Sequence, residues 1–141
     1  MATNQLLRDF IRNDLGLKGT KAACEDGMCG ACSIHLDDKA VKSCLLLAVE
    51  ADGASITTIE GLGGDAMHPV QEAMIDNFGF QCGFCTPGFI MTISALLEDE
   101  APADPTAVKK SLVGNICRCT GYTRIVAATL DAARRIQSTE A

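Results

Sequence analysis

The chain has 141 residues, of which 48% are hydrophobic, and it carries eight cysteines and a formal net charge of −6. This length suits one domain or two small ones, and the hydrophobic fraction is sufficient for packed cores. The negative charge argues against nucleic acid as a partner, because nucleic-acid binding needs a basic surface.

The N-terminal residues 1–16 predict a charged amphipathic helix and no secretory signal peptide. The longest apolar run, residues 89–97, is far shorter than a membrane-spanning helix, so we expect no membrane insertion. These features indicate a cytoplasmic protein in a reducing environment, where clustered cysteines are more often metal ligands than disulfides.

Residues 1–61 predict a small α+β domain. Thr3 or Asn4 can cap a first helix, which Gly16 ends. The predicted apolar face of this helix consists of Leu6, Leu7, Phe10, Ile11 and Leu15. A loop rich in glycine and small residues follows. Alternation and β-branched residues then predict three strands, at residues 33–36, 40–43 and 56–59.

The glycine-rich segment 61–65 predicts a domain boundary, and residues 65–141 predict an all-helical domain. A proline in the first helical turn marks three of the predicted helix starts. In two of these three, the proline directly follows a residue that can cap the helix. The four helices are expected to begin near Pro69, Thr86, Pro105 and Tyr122. The first of them should carry Phe78 on its apolar face and end at Gly79.

The first cysteine set has the spacing C-x4-C-x2-C, closed by a fourth cysteine after eleven intervening residues. Its members are Cys24, Cys29, Cys32 and Cys44. This is the spacing of plant-type [2Fe–2S] ferredoxins. Gly27 and Gly30 allow the loop to bring its amides close to the sulfurs. The pattern favours an iron–sulfur cluster, with zinc or plain thiols as the alternatives.

The second set joins C-x2-C to C-x-C, and its members are Cys82, Cys85, Cys117 and Cys119. Four such thiolates can hold either a zinc ion or a [2Fe–2S] cluster. Both pairs precede predicted helix starts, where free amides and the helix dipole stabilise an anionic group. Beside the first set, a second [2Fe–2S] cluster is the favoured interpretation.

The order of these motifs and the residues in them resemble those of the small iron–sulfur subunit of the xanthine dehydrogenase, or molybdenum hydroxylase, family. The resemblance extends from Leu6 to about Ala133. It is carried by the segments GTKAACEDGMCGAC, SCLLLA, ITTIEGL, QCGFCTPGFIM and GNICRCTGY.

The resemblance implies an N-terminal ferredoxin-like β-grasp domain followed by a four-helix domain, each holding one [2Fe–2S] cluster. Cys82, Cys85, Cys117 and Cys119 would hold the cluster nearer a molybdenum–pterin cofactor. Cys24, Cys29, Cys32 and Cys44 would hold the one nearer FAD. Gln81 and Cys119 match positions that touch the pterin. Molybdopterin and FAD would belong to a large and a medium partner subunit of a heterotrimer.

One departure from the family concerns the N-terminus. Family members usually begin with a two-stranded hairpin before the first helix, and here that helix starts at about Asn4. The β-grasp sheet is therefore expected to lack its first hairpin, which leaves one face of the helix uncovered. Either the sequence starts after that hairpin, or a partner covers this face.

The predicted function is electron transfer within a molybdopterin-dependent oxidoreductase, with no catalytic residues or substrate site in this chain. Electrons from the molybdenum site would pass through the C-terminal and then the N-terminal cluster to FAD. Two alternatives remain open at this stage. One is a free-standing ferredoxin-like carrier, and the other is a zinc-stabilised adaptor without redox activity.

Overall fold

A computed structural model of the chain describes residues 2–99, 101–102 and 104–140, with the side chain of Glu140 excepted. A short N-terminal helix and a three-stranded sheet come first, and four helices follow. The predicted α+β class is thereby confirmed. The core of the helical part and the smaller core beneath the sheet are separate clusters of buried side chains.

The first helix, α1, spans Leu7–Asp9 and continues as a π-helical stretch, Phe10–Asp14. The predicted cap at Thr3 or Asn4 is wrong, because Leu6 is the N-cap residue. Leu6 is held extended by a bridge to Leu47, and this pairing delays the start of the helix. Gly16 ends the helical segment at a φ of +74°, as predicted.

The wider π-helical turn also changes which side chains face inward. Leu7 and Ile11 are fully buried against Ile34 of the sheet. Leu15 is 52% exposed, so its predicted place on the apolar face is wrong. A π-helical turn has more residues than an α-helical turn, which moves the last residue off the stripe.

The sheet consists of β1 (Ser33–Leu36), β2 (Lys39–Lys42) and β3 (Ile56–Thr57). β1 lies in the middle and pairs antiparallel with both neighbours. Asp37 and Asp38 connect β1 to β2 with φ values of 48° and 65°, which suits a two-residue hairpin turn. Cys44 follows β2 in a short 3₁₀ turn, Ser43–Leu45.

The four later helices are α2 (Pro69–Asp76), α3 (Thr86–Asp99), α4 (Pro105–Ser111) and α5 (Thr123–Glu140). The predicted helix starts are confirmed within one residue. The shared core is formed by apolar side chains of all four helices, including Met74, Phe89, Ile93, Val108, Ile125 and Ala132.

Phe78 departs from its predicted place on the apolar face of α2. It follows the end of the helix with a φ of 52° and is 67% exposed. Its ring instead lies 5.7 Å from the guanidinium carbon of Arg124, in a cation–π contact.

The two parts of the chain meet where α3 packs against β1. His35 of β1 is buried, and its Nε2 lies 2.7 Å from the carbonyl oxygen of Met91 and 3.2 Å from the Ser94 hydroxyl. The ring therefore fixes the sheet to the middle of α3. Because both cysteine sets adjoin these two elements, this interface determines how they are placed.

We expect Asp104→Ala to destabilise the helical part by about 0.5–2 kcal/mol. The Asp104 carboxylate caps α4 by accepting hydrogen bonds from the amides of Thr106 and Ala107, at 2.7 and 2.9 Å. Alanine leaves these amides to water. Chemical denaturation followed by circular dichroism measures the change, with Asp104→Asn as the control that retains a capping oxygen.

Candidate metal centres

The first cysteine set lies on a tightly curved loop between the π-helical stretch and β1. Glu25, Gly27 and Gly30 all have left-handed φ angles, between 62° and 81°. This curvature turns backbone amides towards sulfur. The amide of Cys29 donates to Cys24 Sγ at 3.4 Å, and the amide of Ala31 donates to Cys29 Sγ at 3.5 Å.

Cys44 completes this set from the far side, across the sheet hairpin. Burial, together with the adjacent sulfurs of Cys32 and Cys24, raises the pKa of the Cys44 thiol to about 11. Cys24 and Cys29 are also within hydrogen-bonding reach of each other. The fold therefore brings together all four residues of the predicted set, as two neighbouring pairs.

The second set is assembled from the start of α3 and the segment before α5. Cys82 Sγ and Cys119 Sγ are 3.6 Å apart, and both residues are exposed. Burial and the adjacent Cys117 sulfur together raise the pKa of the Cys85 thiol to about 12. The predicted set is again brought together as two pairs, one outward and one inward.

Thr120 is part of the second centre, although the sequence analysis did not single it out. Its hydroxyl donates to Cys117 Sγ at 3.1 Å. Burial would raise the pKa of Cys117, but hydrogen bonds from the Thr120 hydroxyl and from backbone amides lower it below its ordinary value. The sequence signal for this contact is only a hydroxyl residue directly after C-x-C.

The paired arrangement of the sulfurs fits a two-iron cluster. Among the described residues, no group of three or more His, Cys, Asp or Glu side chains converges closely enough to hold a single metal ion. In a [2Fe–2S] cluster with four cysteine ligands, each iron takes two thiolates, so the ligands form two separated pairs. The amides directed at the sulfurs also suit an anionic cluster. Binding would release protons from the high-pKa thiols.

The two centres are joined through the backbone. The carbonyl of Cys29, in the first set, accepts a 2.9 Å hydrogen bond from the amide of Ile116, the neighbour of Cys117 in the second. Gly88 of α3 lies so close to this loop that a Cβ there would sit 2.1 Å from the carbonyl oxygen of Gly30. No motif of the sequence predicts this contact.

Gln81 is exposed and directly precedes Cys82, beside the outward-facing Cys82–Cys119 pair. A molecule bound outside the chain could therefore reach both Gln81 and the two exposed sulfurs. The described part of the chain contains no helix with the length and apolar character needed to cross a membrane.

The sequence matches two domain families over most of its length. Residues 1–57 match the 2Fe-2S iron-sulfur cluster binding domain, and residues 58–130 match the [2Fe-2S] binding domain. Each matched segment contains one of the two cysteine sets.

Two relatives from Paenarthrobacter nicotinovorans illustrate the similarity. The beta subunit of the 6-hydroxypseudooxynicotine dehydrogenase complex is 48% identical over 130 residues, which span 91% of this chain and 81% of that protein. The nicotine 6-hydroxylase small subunit is 49% identical over 132 residues, covering 94% of this chain and 80% of that protein.

A solved structure with the same fold is quinoline 2-oxidoreductase from Pseudomonas putida 86. One of its chains superimposes with a TM-score of 0.92 at 38% identity, covering 100% of this chain and 89% of that chain. The similarity therefore extends over both cysteine sets and the interface between them.

Proposed function

Because the chain belongs to the small iron–sulfur subunits of the xanthine dehydrogenase family of molybdenum hydroxylases, we propose that it transfers electrons from a molybdenum–pterin site to FAD. The observation that carries this proposal is the pair of four-cysteine sites linked by the Cys29–Ile116 hydrogen bond. The chain is thus one subunit of a molybdopterin-dependent oxidoreductase, and it has two [2Fe–2S]-binding domains.

The ligand assignment follows the two groups of sulfurs. Cys24, Cys29, Cys32 and Cys44 hold one cluster, and Cys82, Cys85, Cys117 and Cys119 hold the other. When bound, a [2Fe–2S] cluster supplies one-electron redox chemistry. The residues of this chain hold the clusters at a fixed separation, because α3 and the first cysteine loop are in direct backbone contact.

Exposure supports the assignment of the second centre to a partner that binds the pterin. The second centre has its Cys82–Cys119 pair at the surface beside Gln81, so a pterin held by a large subunit can approach it. Gln81 and Cys119 are the residues we assign to that contact. The first centre faces a medium subunit that binds FAD. We assign the complex to the cytoplasm.

The domain organisation belongs to the same proposal. Residues 1–61 form a plant-ferredoxin-like β-grasp domain, and residues 65–141 form a four-helix domain. The three-stranded order β2-β1-β3 and the helix packed on it support the first assignment. The shared core of α2 to α5 supports the second.

Copurification tests this function most directly. The tagged chain, expressed with its neighbouring genes, should purify with larger chains that contain molybdenum and flavin. It should contribute about four irons and two distinct EPR signals on reduction. A chain that purifies alone with both signals would be a free carrier, and a colourless zinc protein would contradict electron transfer altogether.

Thr120→Val should lower the reduction potential of the second centre. Valine removes the hydroxyl that donates to Cys117 Sγ, and hydrogen bonds to ligand sulfurs raise the potential by stabilising the more negative reduced state. Loss of one bond worth about 0.5–1.5 kcal/mol corresponds to roughly 20–60 mV for one electron. EPR-monitored redox titration measures it, and Thr120→Ser, which keeps the hydroxyl, should remain near the parent value.

A further inference from the structure

Arg8 of α1 is a buried cation that the motifs of the sequence do not explain. Its side chain is 6% exposed, whereas arginine is seldom buried without a specific partner. Its Nε and Nη2 donate to Asp9 Oδ1 at 2.9 and 2.7 Å, and its Nη1 lies 3.1 Å from Glu25 Oε1. Nη1 is fully enclosed, and among the described residues it has no hydrogen-bond partner of acceptable geometry.

This guanidinium lies near the first cysteine set. Glu25 is the neighbour of Cys24 in the loop, and α1 packs on the 3₁₀ turn that contains Cys44. The amide of Leu7 fixes that packing by donating to the carbonyl of Leu46 at 2.8 Å. Burial would lower the pKa of Arg8, but Asp9, Glu25 and Cys44 together raise it, so the charge is permanent.

The two carboxylates do not cancel this charge on its buried side. The side chains of Asp9 and Glu25 are 35% and 60% exposed, so water and salt screen their fields. The guanidinium is enclosed by protein, where a charge acts over a lower effective dielectric constant. Arg8 therefore contributes a positive potential at the first cysteine set. Lys42, whose Nζ donates to the Gly27 carbonyl at 2.6 Å, adds to it, and the carboxylate of Asp26, within hydrogen-bonding reach of Cys24, opposes it.

We propose that Arg8 raises the reduction potential of the cluster held by Cys24, Cys29, Cys32 and Cys44, and so favours electron flow to it from the second centre. The physical reason is that a reduced cluster carries one more negative charge, which a nearby buried cation stabilises. This inference rests on the proposed function, because it requires that ligand set.

The test is a redox titration of the assembled complex, followed by EPR so that the two centres are read separately. Arg8→Gln removes the charge and keeps a hydrogen-bonding side chain. Arg134→Gln is the matched control, because it changes the net charge equally at a side chain that is 71% exposed on α5. Arg8→Lys retains the charge but not the forked geometry.

We expect Arg8→Gln to shift the one-electron equilibrium of the first centre about tenfold towards the oxidised state, a fall of about 59 mV. The second centre, and both centres of Arg134→Gln, should keep the parent values. An unchanged first centre in a fully loaded Arg8→Gln complex, or an equal shift of both centres, would overturn the inference.

If the Arg8→Gln variant does not bind the first cluster, the Arg8→Lys variant distinguishes a role of the charge from a purely structural role. A loaded lysine variant with the parent potential supports a role for the charge. A lysine variant that does not load, or that loads with a lowered potential, assigns Arg8 a purely structural role. Failure of the proposed function itself is distinguishable, because the unmutated chain would then purify without the larger molybdenum and flavin chains, or would lack four irons per chain or one of its two EPR signals.

Discussion

Cys85→Ser is expected to abolish the second iron–sulfur centre while leaving the first intact. The Cys85 sulfur is half-buried beside Cys117, so a serine there removes one ligand from the inner pair of the site. Iron should fall from about four to about two per chain, and one EPR signal should disappear. Changes in the groups that surround metal ligands lower metal affinity or activity by about 10–100-fold. Losing a ligand should therefore lower turnover with the final acceptor by at least about 100-fold.

Cys44→Ser is the reciprocal control, because it removes a ligand from the other set. It should eliminate the other EPR signal and retain the one lost in Cys85→Ser. If either variant, in a folded protein, lost both signals equally, the division into two separate four-cysteine sites would be wrong. Far-ultraviolet circular dichroism verifies that each variant is folded.

Gly88→Ala should destabilise the chain and disturb the junction between the centres. The new Cβ would lie 2.1 Å from the carbonyl oxygen of Gly30 and 3.0 Å from Cα of Ala31. These are backbone atoms of the first cysteine loop, which cannot move aside as a flexible side chain would. We expect a loss of at least about 1–3 kcal/mol, the usual cost of overpacking, even though alanine favours helix by about 1 kcal/mol.

The matched control for this variant is Gly61→Ala. Its Cβ would meet nothing nearer than the carbonyl oxygen of Thr58, at 3.8 Å. We expect a change within about 0.5 kcal/mol. Denaturant titration compares the two variants, and EPR of the Gly88→Ala complex reports whether the first cysteine loop still holds its cluster. Equal stabilities for the two variants would show that the loop can yield at this contact.

The sequence predicted best those features that depend on residues close together in the chain. Proline and capping residues placed the starts of three of the four later helices, since a helix start depends on a single turn. It predicted α1 less well, because the bridge between Leu6 and Leu47 spans forty-one positions and delays the start of the helix. Leu15 and Phe78 were misplaced because a π-helical turn and a left-handed residue interrupt the regular periodicity.

The sequence by itself determined the number of cysteines and their spacing. It also predicted their grouping into two sets, because three members of the first set lie within one short loop. It also determined the family, through motifs that depend only on local order. Only the tertiary structure decided how the two centres are joined and what surrounds them. The Cys29–Ile116 hydrogen bond, the tight fit at Gly88 and the burial of Arg8 all arise where segments distant in sequence pack together. Such contacts depend on long-range packing, which has no periodicity or spacing that a sequence pattern can show.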